Sequence, residues 1–112
     1  MDNRGFVEAL AEEIVQGNVS TYRKLFEKTP VSEATDPYWR DALKLYSQLA
    51  PEQREILFSI IRQVVVDTTS NLLAVLDGNS RLRGQKEDLV LLSGSLPLED
   101  LQGLFLESEE GR

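Results

Sequence analysis

Residues 51–78 carry the sequence PEQREILFSIIRQVVVDTTSNLLAVLDG, which has the pattern of one long helix. Pro51 suits the first helical position, where its missing N–H is not needed, and Gly78 is a favourable left-handed end. We therefore predict a helix over residues 51–77. At a rise of 1.5 Å per residue it would be about 40 Å long, which is long for a chain of 112 residues.

Apolar residues cover a broad arc of this helix, wider than one neighbouring helix could bury. We therefore expect it to be the central helix against which the other helices pack. Some apolar surface would then stay uncovered, and large uncovered apolar patches usually mark interfaces. The arc is formed by Ile56, Leu57, Ile60, Ile61, Val64, Val65, Leu72, Leu73, Val75 and Leu76.

Three shorter helices are predicted before the long one. Asn3 is a suitable N-cap for the first, whose apolar residues recur every four positions, and Gly17 is a suitable stop. Asp36 followed by Pro37 is a strong start signal for the third. The three predicted helices cover residues 4–16, 20–28 and 37–49.

The last third of the chain contains two short apolar runs, residues 89–92 and 104–106. Runs of this length do not distinguish a strand from a helix by their period. We expect them to pair as a small two-stranded β ribbon, with one helical turn over residues 97–102 and a frayed tail over residues 107–112. The predicted fold class is therefore mainly α: four helices packed around the long fourth one, with a small C-terminal ribbon, in a single domain of residues 1–112.

The chain contains no histidine and no cysteine. Disulfides, thiolate metal sites and the usual Ser-His or Cys-His nucleophile pairs are therefore excluded. The formal net charge of −7 makes nucleic acid an unfavourable partner, because its phosphates would be repelled. The N-terminal residues lack the apolar core of a signal peptide, and no run approaches the roughly 18 apolar residues of a membrane helix. We expect a cytoplasmic protein with no cofactor and no membrane contact.

A polar break, DTTSN, interrupts the long helix at residues 67–71. Five consecutive residues go right round a helix, so some of them would face the core. One interpretation is a ligand pocket in which Asp67 and Asn71 converge on a polar group. The other, which we favour, is structural: Asp67 and Asn71 bond backbone groups of the C-terminal segment, while Thr68 bonds its own helix.

Pairs of carboxylates about one turn apart suggest an alternative, catalytic function. Glu8 and Glu12 form one such pair and Glu52 and Glu55 form another, with Asp67 further along the chain. Such groups can hold Mg²⁺ or Mn²⁺ or perform acid–base chemistry. The alternative is thus a small carboxylate-based, divalent-metal-dependent hydrolase. Carboxylate pairs are also common on solvated helix faces, so we assign neither a catalytic residue nor a metal ligand.

Tyr38, Trp39 and Arg40 bring together residue types that often anchor protein interfaces. Trp39 lies in the apolar stripe of the predicted third helix, so we expect it in the core. Tyr38 and Arg40 lie outside that stripe and are candidates for contact with a ligand or partner.

Two C-terminal segments carry a resemblance to known proteins: residues 67–78, DTTSNLLAVLDG, and residues 100–106, DLQGLFL. They resemble the C-terminal half of small uncharacterised bacterial helical proteins, some of the immunity or accessory kind. The resemblance implies no catalytic residue. With the missing histidine and cysteine, it favours a non-catalytic protein-interaction domain. The expected partner is a second copy of the chain, in a homodimer, or another protein.

Overall fold

A continuous helical rod of residues 3–28 forms the first part of the molecule. The computed structural model describes residues 1–111. The rod consists of helix α1 (Asn3–Leu10), a π-helical segment (Ala11–Gln16) and helix α2 (Gly17–Lys28). The π-helical segment joins α1 to α2 without a break in the helical backbone.

The predicted helix end at Gly17 is wrong. Gly17 has φ −59° and ψ −46°, which are ordinary helical angles. The π-helical segment packs against two other helices, and this tertiary packing holds the chain helical through the glycine. The first N-cap also differs by one residue, since the side chain of Asp2 accepts a hydrogen bond from Gly5 N at 2.8 Å. Asn3 instead accepts a hydrogen bond from Glu99 N at 3.0 Å, which ties the N-terminus to the C-terminal region.

The third and fourth predicted helices are confirmed. Helix α3 spans Pro37–Ser47, and helix α4 spans Pro51–Leu76. Asp36 caps α3 by accepting a hydrogen bond from Tyr38 N at 2.8 Å. The chain leaves α4 at Gly78, whose φ of +81° is a left-handed conformation that glycine adopts without strain.

The C-terminal region forms a hairpin followed by a helix, so the predicted pairing of the ribbon is wrong. Leu91 lies opposite Leu98 in the antiparallel ladder, and Gly94, with φ +61°, lies in the turn. The second apolar run, residues 104–106, is helical. A two-residue turn closes the hairpin at little entropic cost, whereas pairing the two runs would close a loop of about a dozen residues. The strands are β1 (Leu91–Ser93) and β2 (Leu96–Leu98), the last helix is α5 (Leu101–Glu110), and a 3₁₀ turn (Val31–Glu33) links α2 to α3.

Helix α5 continues further than expected. Residues 107–110, predicted to be frayed, are helical, and the side chain of Glu109 is only 8 % exposed because it pairs with Arg62 of α4. The last residue of the predicted tail, Arg112, lies outside the described residues. The predicted fold class is confirmed: the protein is mainly helical, with one helix of 26 residues and a small antiparallel ribbon near the C-terminus.

Two cores lie along α4. The larger joins α1, α5 and the C-terminal half of α4, and the smaller is an aromatic cluster between α2, α3 and the N-terminal half of α4. The molecule measures 49 × 34 × 22 Å and has a radius of gyration of 17.5 Å. A compact chain of this length would have a radius of gyration of ~13 Å, so the molecule is elongated. The larger core contains Val7, Ala11, Val15, Leu73, Leu98, Leu101 and Phe105, and the aromatic cluster contains Tyr22, Phe26, Trp39, Tyr46 and Phe58.

Candidate interaction surface

The aromatic cluster fixes α2 and α3 against α4. Phe26 of α2 lies at its centre, with its ring centroid 5.9 Å from that of Trp39 and 5.0 Å from that of Tyr46. The Phe58 ring, on α4, lies 6.1 Å from the Phe26 ring. Tyr22 extends the cluster, since its ring lies 5.8 Å from Trp39. Trp39 is half-buried here, so the prediction that it packs in the interior holds in part.

Two arginines cover the edge of this cluster. The Arg23 guanidinium lies 4.2 Å from the centre of the Phe58 ring and donates two hydrogen bonds to Glu55, at 2.9 and 3.0 Å. Arg54 lies over the Tyr46 ring at 4.3 Å. The hydrogen bonds from Arg23, with a smaller contribution from its charge, lower the pKa of the Glu55 carboxyl below its ordinary value of 4.5. The same pairing raises the pKa of Arg23. Glu55 is thus engaged in a structural ion pair.

Two adjoining grooves lie between α4 and the helices that the cluster holds against it. Each has a volume of about 440 Å³, and Tyr22 and Ile61 line both; we call the two together the α4 groove. Among its lining residues, all within the described part of the chain, Asp41 is the single charged one. The other lining residues are Ile14, Asn18, Phe26, Tyr38, Ala42, Leu45, Leu57, Ile60, Val64, Val65, Thr68 and Thr69.

A row of exposed apolar side chains on α4 borders this groove. Ile56, Ile60 and Val64 are spaced one helical turn apart and are 59 %, 55 % and 58 % exposed. We call this row the α4 ridge. Ile60 and Val64 also line the α4 groove, so the ridge and the groove form one continuous apolar surface. Removing one such side chain from water is worth roughly 1.5–3 kcal/mol when burial is complete. The expectation that α4 leaves apolar surface uncovered is confirmed.

Helix α4 is long and apolar enough to cross a membrane, judged by length and composition alone. Only 28 % of its most apolar 18-residue stretch is buried by the rest of the chain. A single helix of this kind is weak evidence for a membrane span. It nevertheless corrects the expectation that no run of this chain approaches the length and apolar character of a membrane helix. The low buried share does show how little of this helix the rest of the chain covers.

Asp67 and Asn71, at the two ends of the polar break, lie on the exposed side of α4, so the prediction that they bond backbone groups of the C-terminal segment is wrong. Asp67 is exposed and accepts a hydrogen bond at 2.8 Å from Gln63 Nε2, one turn earlier on the same helix. Asn71 is also exposed. Neither side chain bonds the C-terminal segment in the described contacts. Seven residues make about two turns, so Asp67 follows Ile60, and Asn71 follows Val64, on the same face. They form a polar continuation of the α4 ridge.

Thr69, and not Thr68 as expected, bonds its own helix. Thr69, which is buried, donates a hydrogen bond to Val65 O at 2.8 Å, whereas Thr68 is exposed. Ser70 is buried as well and accepts a hydrogen bond from Gln102 Nε2 of α5 at 3.1 Å. The part of the break that faces the core is therefore its middle.

Tyr38 and Arg40 have different environments. Tyr38 is 64 % exposed, lines the α4 groove and packs edge-on against Trp39 with 5.4 Å between ring centroids. The Arg40 guanidinium donates hydrogen bonds to the carbonyls of Ala34 and Thr35, at 3.3 and 3.2 Å, and so holds the loop before α3. Of these two predicted contact residues, the structure places Tyr38 on the apolar surface.

The carboxylates of the catalytic hypothesis are not assembled into one site. Glu55 is paired with Arg23, and Glu8 and Glu12 are exposed on the first rod. Within residues 1–111, no group of three or more His, Cys, Asp or Glu side chains is placed to hold a metal ion. The hydrolase hypothesis therefore has no candidate metal site in the described structure to rest on.

Asp77, which the sequence reasoning missed, joins α4 to the C-terminal segment. Its two carboxylate oxygens accept hydrogen bonds from Leu101 N at 3.0 Å and Gln102 N at 2.8 Å, which are free amides at the start of α5. Asp100 occupies the usual capping position but has φ +56° and makes no capping hydrogen bond with its side chain. No local signal in the sequence marks this role, because Asp77 and its partners are separated by 24 and 25 positions in the chain.

Comparisons with known proteins gave no relative from which a function could be transferred. A scan against protein-family models, a search of curated proteins and a search of solved structures each found no match.

Proposed function

We propose that this chain is a non-catalytic protein-interaction domain that binds a polypeptide partner through the α4 ridge and the α4 groove. The proposal rests on one observation: the side chains of Ile56, Ile60 and Val64 are exposed to solvent beside the apolar α4 groove. Tyr38 and Leu45 extend the same surface from α3, at 64 % and 55 % exposure. Exposed apolar surface concentrated in this way is characteristic of binding sites.

The composition of the surface also supports binding of a protein rather than of a small charged ligand. Tyrosine and large aliphatic residues dominate it, and charged residues are nearly absent, as at the centre of protein interfaces. A groove of this length, bordered by a helix, suits a partner that presents an apolar helix face. In a bacterial cell this would be an immunity-like or accessory role, of the kind that the C-terminal resemblance implies.

Photo-crosslinking in the native lysate tests the proposal. We would replace Tyr38 with the photoreactive amino acid p-benzoylphenylalanine, which keeps an aromatic ring at the edge of the α4 groove. Illumination should join this chain covalently to another polypeptide, giving a discrete band of higher mass. The same photoreactive residue at Leu82, which is 60 % exposed in the loop after α4, is the matched control and should give no such band.

A second change shows whether the crosslink depends on the proposed surface. Ile60→Asp places a charge in the middle of the α4 ridge and should abolish the band from position 38. No band from either position would contradict the proposal, as would a band from position 38 that persists with Ile60→Asp.

A further inference from the structure

The π-helical segment of the rod, Ala11–Gln16, holds one residue more than the same stretch of an α-helix would hold. Gly17 N donates to Glu12 O, five positions earlier, which is the hydrogen bond of a π-helix, and also to Ile14 O. The surplus residue rotates all of α2 by about 100° relative to an unbroken α-helix. Turns of this kind are rare inside α-helices and frequently lie at functional sites.

The buried face of the rod shows this rotation directly. An α-helix that buries Val7 and Ala11 would next bury the residues three and seven positions after Ala11, since neighbouring residues are about 100° apart. The rod instead buries Val15 completely and leaves Ile14 43 % exposed. From there the half-buried face continues one position later than in an α-helix, through Val19, Tyr22 and Phe26.

The rotation determines which side chains of the rod face α4. It brings Phe26 into the aromatic cluster, and it places Ile14, Asn18 and Tyr22 along the α4 groove. Asn18 also donates a hydrogen bond from its Nδ2 to Ile14 O at 2.7 Å, so its side chain supports the π-helical segment. The rod's wall of the α4 groove therefore depends on the surplus residue.

The sequence offers the rod a second register, in which residues 3–28 form an unbroken α-helix. In that register α2 would turn by about 100°, and each residue on its buried face would be replaced by the preceding one. Ile14 would replace Val15, and Leu25 would replace Phe26. Both exchanges put one apolar side chain in place of another, so the second register also has an apolar face.

The two registers have opposing advantages. The unbroken helix has the regular α-helical hydrogen bonds, whereas the described register buries more apolar surface. The unbroken helix would turn the Asn18 amide towards α4 in place of Val19, which costs free energy unless the amide is hydrogen-bonded there. At the far end of α2, Phe26 and Trp39 are only half-buried, so few buried contacts oppose a rotation of this end.

We infer that residues 11–28 form a two-register element, which exchanges between the described π-helical register and an unbroken α-helical one. Only the first register has the aromatic cluster with Phe26 and the described wall of the α4 groove. A partner in the groove would contact this wall and thus select the first register, a consequence that rests on the proposed function.

Removal of one residue tests for the surplus. Glu13 is exposed within the π-helical segment, and a chain without it should form an unbroken helix with the described faces. Its melting temperature should equal or exceed that of wild type. A chain without Lys24, which is exposed on α2, is the matched control. This second removal misplaces Phe26 in one register and Val15 in the other, so it should lower the melting temperature. Equal losses in the two variants would overturn the surplus residue and the inference with it.

Amide relaxation dispersion measures the exchange itself, because helix register shifts occur on the microsecond to millisecond timescale. Wild type should show exchange at amides of residues 11–28 and none at amides of α5, and removal of Glu13 should abolish it. Ile14→Gln should also abolish it without a deletion, because the unbroken register would bury the new polar side chain. A wild type without exchange in residues 11–28, or exchange that persists in either variant, would overturn the two-register element.

These outcomes are distinguishable from those of the crosslinking test. Exchange confined to residues 11–28, in a chain whose position 38 crosslinks to nothing, would overturn the proposed function alone. A chain that crosslinks through position 38 but shows no exchange would overturn the two-register element alone.

Discussion

At the residue scale, hydrogen bonds from a few side chains join helices that the apolar contacts alone would not orient. Asp77 belongs to the end of α4, yet it satisfies the first amides of α5. Arg23 joins α2 to α4 by its two hydrogen bonds to Glu55. In both cases a carboxylate is used for positioning, which is a reason to assign these acids to the fold and not to chemistry.

Replacing Asp77 should destabilise the protein more than replacing the acid in the polar break. Asp77→Ala leaves two amides of α5 without their acceptor and should lower the free energy of unfolding by about 1–2 kcal/mol, as for the loss of an N-cap. Asp67→Ala removes only an exposed contact with Gln63 and should change it by less than about 0.5 kcal/mol. Urea denaturation of the two variants measures the difference, and equal effects would contradict the capping role.

The ion pair between Arg23 and Glu55 makes part of the stability depend on pH. Because the folded pKa of Glu55 is lowered, its contribution is fully present above the ordinary value of 4.5 and is lost as the pH falls through the folded pKa. Glu55→Gln should therefore melt below wild type near neutral pH, and the gap should narrow as the pH is lowered below 4.5. Thermal melts of both proteins across that range test this. A gap independent of pH would show that the pair contributes no titratable stability.

At the element scale, the sequence predicts α3 and α4 well because their ends carry chemical signals. The start of α3 is marked by Asp36 and Pro37, and the two ends of α4 are marked by Pro51 and Gly78. Each of these residues acts on its own helix end, so its effect can be predicted without the tertiary structure.

The surroundings of a residue are not local, and the sequence therefore does not show that Thr69 and Ser70 face the core while Asp67 and Asn71 face solvent. The candidate interaction surface also depends on tertiary packing. The apolar arc of α4 predicts that part of this helix stays uncovered, but the packing of α2 and α3 decides which side chains remain exposed.

The C-terminal ribbon shows a second reason for failure. The apolar runs 89–92 and 104–106 are each too short to reveal a period, so the sequence does not show whether either run is a strand or a helix. Leu101, Leu104 and Phe105 have the spacing of one helix face, and reading them together would have predicted α5. The expected turn over residues 97–102 joined parts of a strand and a helix into one element.

Gly17 offers a direct test of the continuous first rod. An added Cβ would meet only Glu12 O at 3.8 Å, an ordinary contact, and the backbone angles are helical. Gly17→Ala should therefore stabilise the protein by about 0.5–1 kcal/mol, because alanine restricts the unfolded chain and favours helix. Gly78→Ala, at φ +81°, is the matched opposite case and should destabilise. If urea denaturation showed that Gly17→Ala also destabilises the protein, the result would contradict the continuous rod and support a helix end at residue 17.

At the scale of the whole molecule, the fold has two cores that share α4 and the continuous helical rod of residues 3–28. The larger core holds α1 and α5 against the C-terminal half of α4, where Phe105 is fully buried. The aromatic cluster holds α3 at the other end. Regions with few buried apolar contacts open more readily than the rest of a domain. The end of the molecule that forms the α4 groove with α3 is thus the one expected to open first.

Weakening the aromatic cluster should release α3 without unfolding the larger core. Phe58 is 2 % exposed and lies between Tyr46 of α3 and Phe26 of α2. Phe58→Ala removes the ring that both of them contact. Replacing a buried phenylalanine by alanine lowers the free energy of unfolding by about 3–5 kcal/mol. Hydrogen exchange should then be much faster in α3 and at the end of α2, while amides of α5 keep their protection. Phe105→Ala is the matched change in the other core and should speed exchange in α1 and α5 first. If both variants lost protection everywhere to the same extent, the two cores would form one cooperative unit, and the groove would be as rigid as the rest of the molecule.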